Sequence, residues 1–352
     1  MFTKFTKIKD YKSIIRDIIN SSRYVGLDDS GHPIYDNDKE LPTLTFTGTC
    51  KLHGTNASVV RSPNGDIHFQ SRRGVITPEK DNVGFAFFAE SNKSIFENFF
   101  NEIIKSIKNF SIDKKHIAIF GEWCGANIQK GVALNGLPKM FIIFAVKISK
   151  EADGDVVSEY LPPVVWEHLS CPEYKIFNIY DFKTYKIDID FNHPKNYINT
   201  LVDYTLEVEE KCPVGEYFGR SGNDCLTGEG IVWETWYEGQ RFIFKTKGEK
   251  HSSSKVKKIV SIDPEKINSI TEFVEYSVTE NRLNQAIEQV FTINSIEPEK
   301  KHTGDFIRWI HKDILDEELD VLNENGLEPK DVNSDISIKA KNWFFKYLDS
   351  LI

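Results

Sequence analysis

The stretch Thr43-Leu-Thr-Phe-Thr-Gly-Thr-Cys-Lys-Leu-His-Gly-Thr-Asn56 decides how the chain is read. Threonines at 43, 45, 47 and 49 alternate with Leu44, Phe46, Gly48 and Cys50, the two-residue period of a strand. Lys51 then sits at the strand's end, where backbone pairing fixes the base of its amine, and Gly54 lets a bulky phosphate approach the turn that follows. A free lysine, with a pKa of about 10.4, is protonated at neutral pH and cannot attack; desolvation or neighbouring cations must release the amine. Lys245 and Lys247, two residues apart in another strand-like run, present their side chains to one strand face.

Further polar residues follow in apolar or turn contexts. Arg72 and Gly74 lie in Gln70-Ser-Arg-Arg-Gly-Val-Ile-Thr-Pro78, and Glu122 lies in Ile119-Phe-Gly-Glu-Trp-Cys-Gly125, followed by Ile128-Gln-Lys-Gly-Val132. Phe144 sits in Met140-Phe-Ile-Ile-Phe-Ala-Val146 and Glu229 in Thr227-Gly-Glu-Gly-Ile-Val232. In this order the six segments resemble the motifs of covalent nucleotidyltransferases, and Lys-Leu-His-Gly is similar to the histidine variant found in the phage RNA ligase 2 family. Tyr276-Ser-Val-Thr-Glu-Asn-Arg-Leu-Asn284 and Lys312-Asp-Ile-Leu-Asp-Glu317 resemble two stretches of that family's helical C-terminal domain. The resemblance thins between about Lys150 and Cys212 and over Asp28–Leu41. It departs at Ala145, where relatives carry aspartate, and at Cys50, where they often carry an acid.

The resemblance implies an α+β, antiparallel-rich nucleotidyltransferase core (ATP-grasp-like) over residues 1–260 and a small all-α domain over 261–352 that engages RNA ends. Lys51 would attack the α-phosphate of ATP and carry AMP, which passes to a 5′-phosphate on RNA before the neighbouring 3′-hydroxyl displaces it. Lys245 and Lys247 would face the α-phosphate, and Mg²⁺ or Mn²⁺ would be anchored by Glu229. Glu122 would accept from the ribose hydroxyls, Arg72 would grip a phosphate through its forked donors, and Phe144 would stack on adenine. Leu52, His53 and Asn56 complete the nucleotide contacts: His53 through an orienting hydrogen bond, Asn56 on a phosphate or in fixing the turn. Arg282 would hold a substrate phosphate or pair with Asp313 inside the helical domain. The partner expected is RNA with 3′-OH and 5′-phosphate ends, as a nicked duplex, met by a monomer in the cytoplasm, including the host cytosol for a phage protein. Rival readings are a DNA ligase or capping enzyme, both of which append an OB-fold, and a non-catalytic end-binding protein.

Composition sets outer bounds. The 352 residues are 40% hydrophobic, enough for a sizeable core, and carry a net charge of −9. No apolar run approaches the roughly 18 residues of a membrane span, and Met1-Phe-Thr-Lys-Phe-Thr-Lys7 lacks a signal peptide's apolar segment. Five cysteines without a Cys-x-x-Cys pair point to a reducing compartment and away from structural zinc. Lysines crowd one segment, Lys245, Lys247, Lys250, Lys255, Lys257 and Lys258, a local basic face on an acidic protein.

Periodicity predicts a helix over Tyr11–Ile19, a turn-rich loop through Gly31 and Asp38, and a hairpin of Ala57–Val60 with Asp66–Gln70 about Asn64-Gly65. It predicts an amphipathic helix over Ser94–Phe110 and strands at His116–Phe120, Phe141–Ile148, Ile231–Trp236 and Arg241–Thr246. The polar segment Gly248–Asp263 reads as a boundary, and helices follow through Ile270–Val290, Phe306–Leu315 and Ile338–Ile352.

Overall fold

The computed structural model describes residues 2–81, 83–107, 115–126, 128–129, 131–152, 155–221, 225–248, 270–294, 296–324 and 326–351. Lys250, Lys255, Lys257 and Lys258, and nearly all of the expected boundary segment, lie outside them. The chain divides into two compact units, Met1–Thr246 and Lys247–Ile352. The first is α+β and the second helical, as the sequence led us to expect.

The first unit is built on two sheets. The smaller holds β3 (Thr43–Cys50) between β11 (Tyr185–Asp190) and β12 (Gly230–Tyr237), with β13 (Gln240–Lys247) outside β12. β3 runs antiparallel to both neighbours. Its Phe46, fully buried, lies 5.3 Å from Phe244, which stacks on Trp233 at 6.3 Å. Two helices bring aromatic rings to these residues. Tyr11 of α1 (Tyr11–Arg23) is 5.0 Å from Phe244, and Tyr204 of α4 (Ile198–Glu210) is 5.9 Å from Trp233.

The larger sheet runs β10 (Ile176–Asn178), β8 (Met140–Ala152), β7 (Lys115–Cys124), β4 (Thr55–Arg61), β5 (Ile67–Ser71), β6 (Gly74–Ile76), with β9 (Asp155–Tyr160) also on β8. Only the β10–β8 pair is parallel among those described. Two consecutive helices, α2 (Phe85–Ser91) and α3 (Lys93–Ser106), cover one face: Phe85 and Phe96 pack 5.0 and 5.9 Å from Phe141. Gly121 on β7 has to be glycine, since a Cβ there would stand 2.5 Å from the Phe141 ring.

Several expectations needed correction. The loop after α1 contains a small hairpin, β1 (Tyr24–Leu27) with β2 (Pro33–Tyr35). The phenylalanine-rich helix ends at Ser106 with Ile107 as its cap, and α2 precedes it unforeseen; residues 108–110 lie outside the described set. Residues 150–212, which carry almost no motif, supply β9, β10, β11 and α4, and α5 (Pro213–Tyr217) follows directly.

The helical unit comprises α6 (Ile270–Ser277), α7 (Glu280–Ile287), α8 (Thr303–Glu324) and α9 (Pro329–Asp349). Phe273, Val278, Leu283, Ile310, Ile314 and Phe344 are buried as their spacing predicts, around a ring stack in which Phe306 and Phe344 are 4.6 Å apart. α9 starts nine residues before the expected Ile338, because the polar residues of its first half still present Val332 and Ile336 to the core. Among the described residues, no helix is long and apolar enough to cross a membrane.

Candidate active site

Lys51 leaves the end of the small sheet and Thr55 starts the large one, so four residues, Lys51 to Gly54, carry the chain between the two. The Lys51 backbone N–H donates to Gly230 O at 2.8 Å, which fixes the residue against the start of β12. Glu229, one residue earlier and 3% exposed, places its Oε2 2.7 Å from Lys51 Nζ and 3.2 Å from His53 Nδ1. From the large sheet, Glu122 Oε1 accepts from the Gly54 N–H at 2.9 Å, and Asn56 pairs with Glu122 in the β4–β7 register. Gly54 cannot be anything larger: an added Cβ would lie 2.5 Å from Trp123 O and 2.8 Å from Cys124 Cβ. Leu52 turns inward and is buried.

Charge is concentrated where water is scarce. Burial pushes the Glu122 carboxyl up to about 7, against the pull of Lys51 and His53 and the Gly54 N–H, and with the push of Glu229. Near neutrality Glu122 therefore exists in both forms, able to accept a hydrogen bond or donate one. Glu229 binds Lys51 and His53 through the same oxygen.

The structure thus brings Lys51, Leu52, His53, Asn56, Glu122 and Glu229 together. Phe144 lies on β8 at a register shift: Phe120 pairs with Ala145 and Gly121 with Ile143, leaving Phe144 as the extra residue. Such a bulge re-aims a side chain, and the Phe144 ring stands edge-on to Phe5 at 5.2 Å. Lys245 lies near the end of β13, its N–H bonded to Lys9 O at 3.1 Å, and Lys247 is the strand's last residue. Arg72 is exposed on the turn between β5 and β6. Arg282 and Asp313 belong to the helical unit. Arg282 is fully buried there, with Nε donating to Asp313 at 2.8 Å, Nη2 to Glu318 at 3.0 Å and Nη1 to Ser277 O. Of its two expected roles, pairing with Asp313 is the one present.

Two participants escaped the sequence reading. Gln129 is buried and donates to Gly54 O at 3.1 Å, while its Oε1 has no partner among the described residues. The other is the N-terminal segment, whose aromatic spacing carries no helix or strand period. Thr3 N–H bonds Gln70, Lys147 Nζ bonds Lys4 O at 3.0 Å, Thr6 N–H bonds the Tyr160 hydroxyl at 2.9 Å, and Phe5 packs among Phe120, Phe144 and Tyr160. With Lys9 clipped to β13, this strap joins both sheets.

An α+β domain with these motif residues gathered at the junction of its sheets falls in the ligase class of nucleotidyltransferases. The match is specific: residues 44–247 fit the RNA ligase family, and the chain belongs to that family. Solved structures similar to it include Naegleria gruberi RNA ligase as a mutant with ATP and Mn, 17% identical over 70% of this chain and 56% of that one, TM-score 0.42. The same ligase with PPi is 18% identical at the same coverage and TM-score. This chain therefore spans 56% of the length of the solved ligases it matches. Endonuclease MutS2 of Clostridium beijerinckii is 26% identical over 140 residues, 34% of this chain and 18% of that protein.

Proposed function

We propose that the chain is an ATP-dependent RNA ligase of the RNA ligase 2 type, sealing 3′-OH and 5′-phosphate ends of nicked duplex RNA through AMP carried on Lys51. The observation that carries this reading is the pairing of Lys51 Nζ with buried Glu229 at 2.7 Å, on the crossover between the two sheets. In the first step Lys51 sheds a proton, its nitrogen bonds the α-phosphorus, and the bond to pyrophosphate breaks. The 5′-phosphate of the RNA then displaces Lys51 to take AMP, and the 3′-hydroxyl finally displaces AMP, closing the phosphodiester.

Each residue has work suited to its place. Lys245 and Lys247 stabilise charge that grows on the α-phosphate's non-bridging oxygens, a task for fixed cations. Glu122 and Asn56 face the nucleoside from the large sheet, Phe144 supplies a stacking surface, and Arg72 reaches the phosphates from its exposed turn. Gln129 Oε1, buried without a partner among the described residues, is an acceptor ready for a nucleotide hydroxyl or amine, which offsets the missing aspartate at Ala145. No group of three or more His, Cys, Asp or Glu side chains among the described residues is arranged to hold a metal. Glu229 as a lone carboxylate suits Mg²⁺, which keeps several waters and takes phosphate oxygens as ligands. When bound, the ion would neutralise phosphate charge; drawing Glu229 away from Lys51 would leave the amine free to lose its proton.

Incubation with α-labelled ATP and Mg²⁺ tests the reading. Wild-type protein should acquire label and Lys51→Ala none, while γ-labelled ATP should label neither. Labelling of Lys51→Ala at the parental rate would refute the assignment. The loaded protein should seal a nick with RNA on its 3′-hydroxyl side faster than one with only deoxynucleotides there, since the 2′-hydroxyl and A-form shape distinguish the two. Equal rates would favour a DNA ligase.

A further inference from the structure

Cys50 stands directly before Lys51 and has no part in the chemistry above. Its Sγ lies 3.7 Å from Cys212 Sγ, and both side chains are buried. Each sulfur hangs from an anchored backbone: Cys50 pairs with Ile231 of β12, and the Cys212 N–H bonds Leu226 O at 2.8 Å. The Cys50 thiol, then the backbone N–H groups of Gly215 and Val214, hold the Cys212 thiol below its ordinary range against the opposing effect of burial, while the Cys50 thiol is pushed up, so Cys212 is the more readily ionised of the two. Of the three other cysteines, Cys225 is exposed, Cys171 half-buried, and Cys124 is buried two residues after Glu122.

We propose that Cys50 and Cys212 form a peroxide-responsive pair whose disulfide stops AMP loading by displacing the strand end that carries Lys51. The loss of loading rests on the ligase reading above; the disulfide itself does not. The Cys212 thiolate attacks one oxygen of hydrogen peroxide, the O–O bond breaks, and with one proton the products are a sulfenic acid and water. The Cys50 sulfur then attacks the sulfenic sulfur and a second water leaves. Two thiols have given up two electrons and two protons, and peroxide has become two waters. A disulfide requires its sulfurs at about 2.05 Å, so the pair must close well inside its 3.7 Å contact. Cys50 is the last residue of β3, so whatever part of that approach it supplies moves the strand's end. One residue further on are the Lys51 N–H bond to Gly230 and the ion pair with Glu229, so a small shift at Cys50 misaligns the nucleophile.

The test treats full-length protein with hydrogen peroxide, quenches with catalase, and follows peptide mass and labelling from α-labelled ATP together. Expected are a cross-linked peptide pair containing Cys50 and Cys212, 2 Da lighter than the reduced pair, and labelling at least tenfold slower, restored by dithiothreitol. Cys212→Ser and Cys212→Ala should load AMP within about twofold of wild type without peroxide and keep loading after it. Cys225→Ser should remain as sensitive as wild type. Absence of the cross-link overturns the proposal, as does a cross-link that leaves labelling unchanged or equal inactivation of the Cys212 variants. If untreated protein takes no label, the ligase reading fails, and the peptide mass alone still decides whether the pair forms.

Discussion

At the scale of single residues, the Glu122 carboxyl ionises far above its ordinary range. It sits at about 7 in the folded protein against 4.5 for a free glutamate side chain. Between those values the folded state holds a proton that the unfolded state has lost. The stability this group contributes is complete below about pH 4.5 and is lost as pH rises through 7. Glu122→Gln mimics the protonated form. It should therefore gain on wild type by roughly 3 kcal/mol between pH 5 and pH 8, read as a widening gap between the two melting curves. A gap that does not change with pH would show that Glu122 titrates normally. Lys51, His53, Glu122 and Glu229 were legible in the sequence because each sits in a short run that resembles a motif of the family, and the runs follow in the family's order. Gln129 stood in a quoted run and was passed over, since nothing local says that its amide lies under Gly54. Arg282 was read with two possible partners, and the structure shows the one inside the helical unit, where Asp313 and Glu318 of α8 both meet it in the core.

At the scale of elements, strands with clean alternation and helices with strong apolar spacing were readable, and the strap was not. Its order comes from contacts with Gln70, Lys147, Tyr160 and β13, all remote in sequence, and no periodicity announces such a segment. If its Phe5 fixes the Phe144 ring for stacking, Phe5→Ala should raise the KM for ATP in self-adenylylation by about tenfold, the worth of one well-placed aromatic contact, with kcat changed less. A fall confined to kcat would assign the strap to the chemical step instead. β13 makes a contrasting prediction. Lys245→Ala should slow adenylylation by at least about tenfold, because a positioned charge at a phosphoryl centre is lost, and saturating ATP should not restore the rate. Complete rescue by ATP would reduce Lys245 to a binding residue.

Across the whole molecule the motifs divide unevenly. Nearly all lie within Met1–Thr246, whereas Lys247–Ile352 has its own core and its own buried ion cluster. Asp313→Ala would strip Arg282 of one of its two carboxylates, a change that costs about 3–5 kcal/mol when one partner of a buried pair is removed. The helical unit should then melt first, visible as a separate early transition by calorimetry, with AMP loading retained. Ending the chain after Asp263 should likewise preserve loading. Transfer of AMP to a 5′-phosphate should slow far more than sealing of a strand supplied already adenylylated. An unchanged ratio of those two rates would make the helices a stability element only. The passage from an α+β region to a helical one was legible because the apolar period changes from two to 3.6 along the chain; the hairpin after α1 and the strands of residues 150–212 were not, being short and paired to distant partners.

The crossover at Lys51 has a consequence for how the protein comes to life on the ribosome. β3 is made early, yet both of its neighbours, β11 and β12, are made late, and His53 meets Glu229 across 176 residues of chain. Closing so long a loop is slow compared with forming local structure. During synthesis, Thr43–Cys50 is a strand with two open edges, a hazard that a chaperone would cover. Lys51 cannot gain its bond to Gly230 or its ion pair with Glu229 until the strand that begins at Gly230 has emerged, so its surroundings are incomplete until the domain is nearly finished.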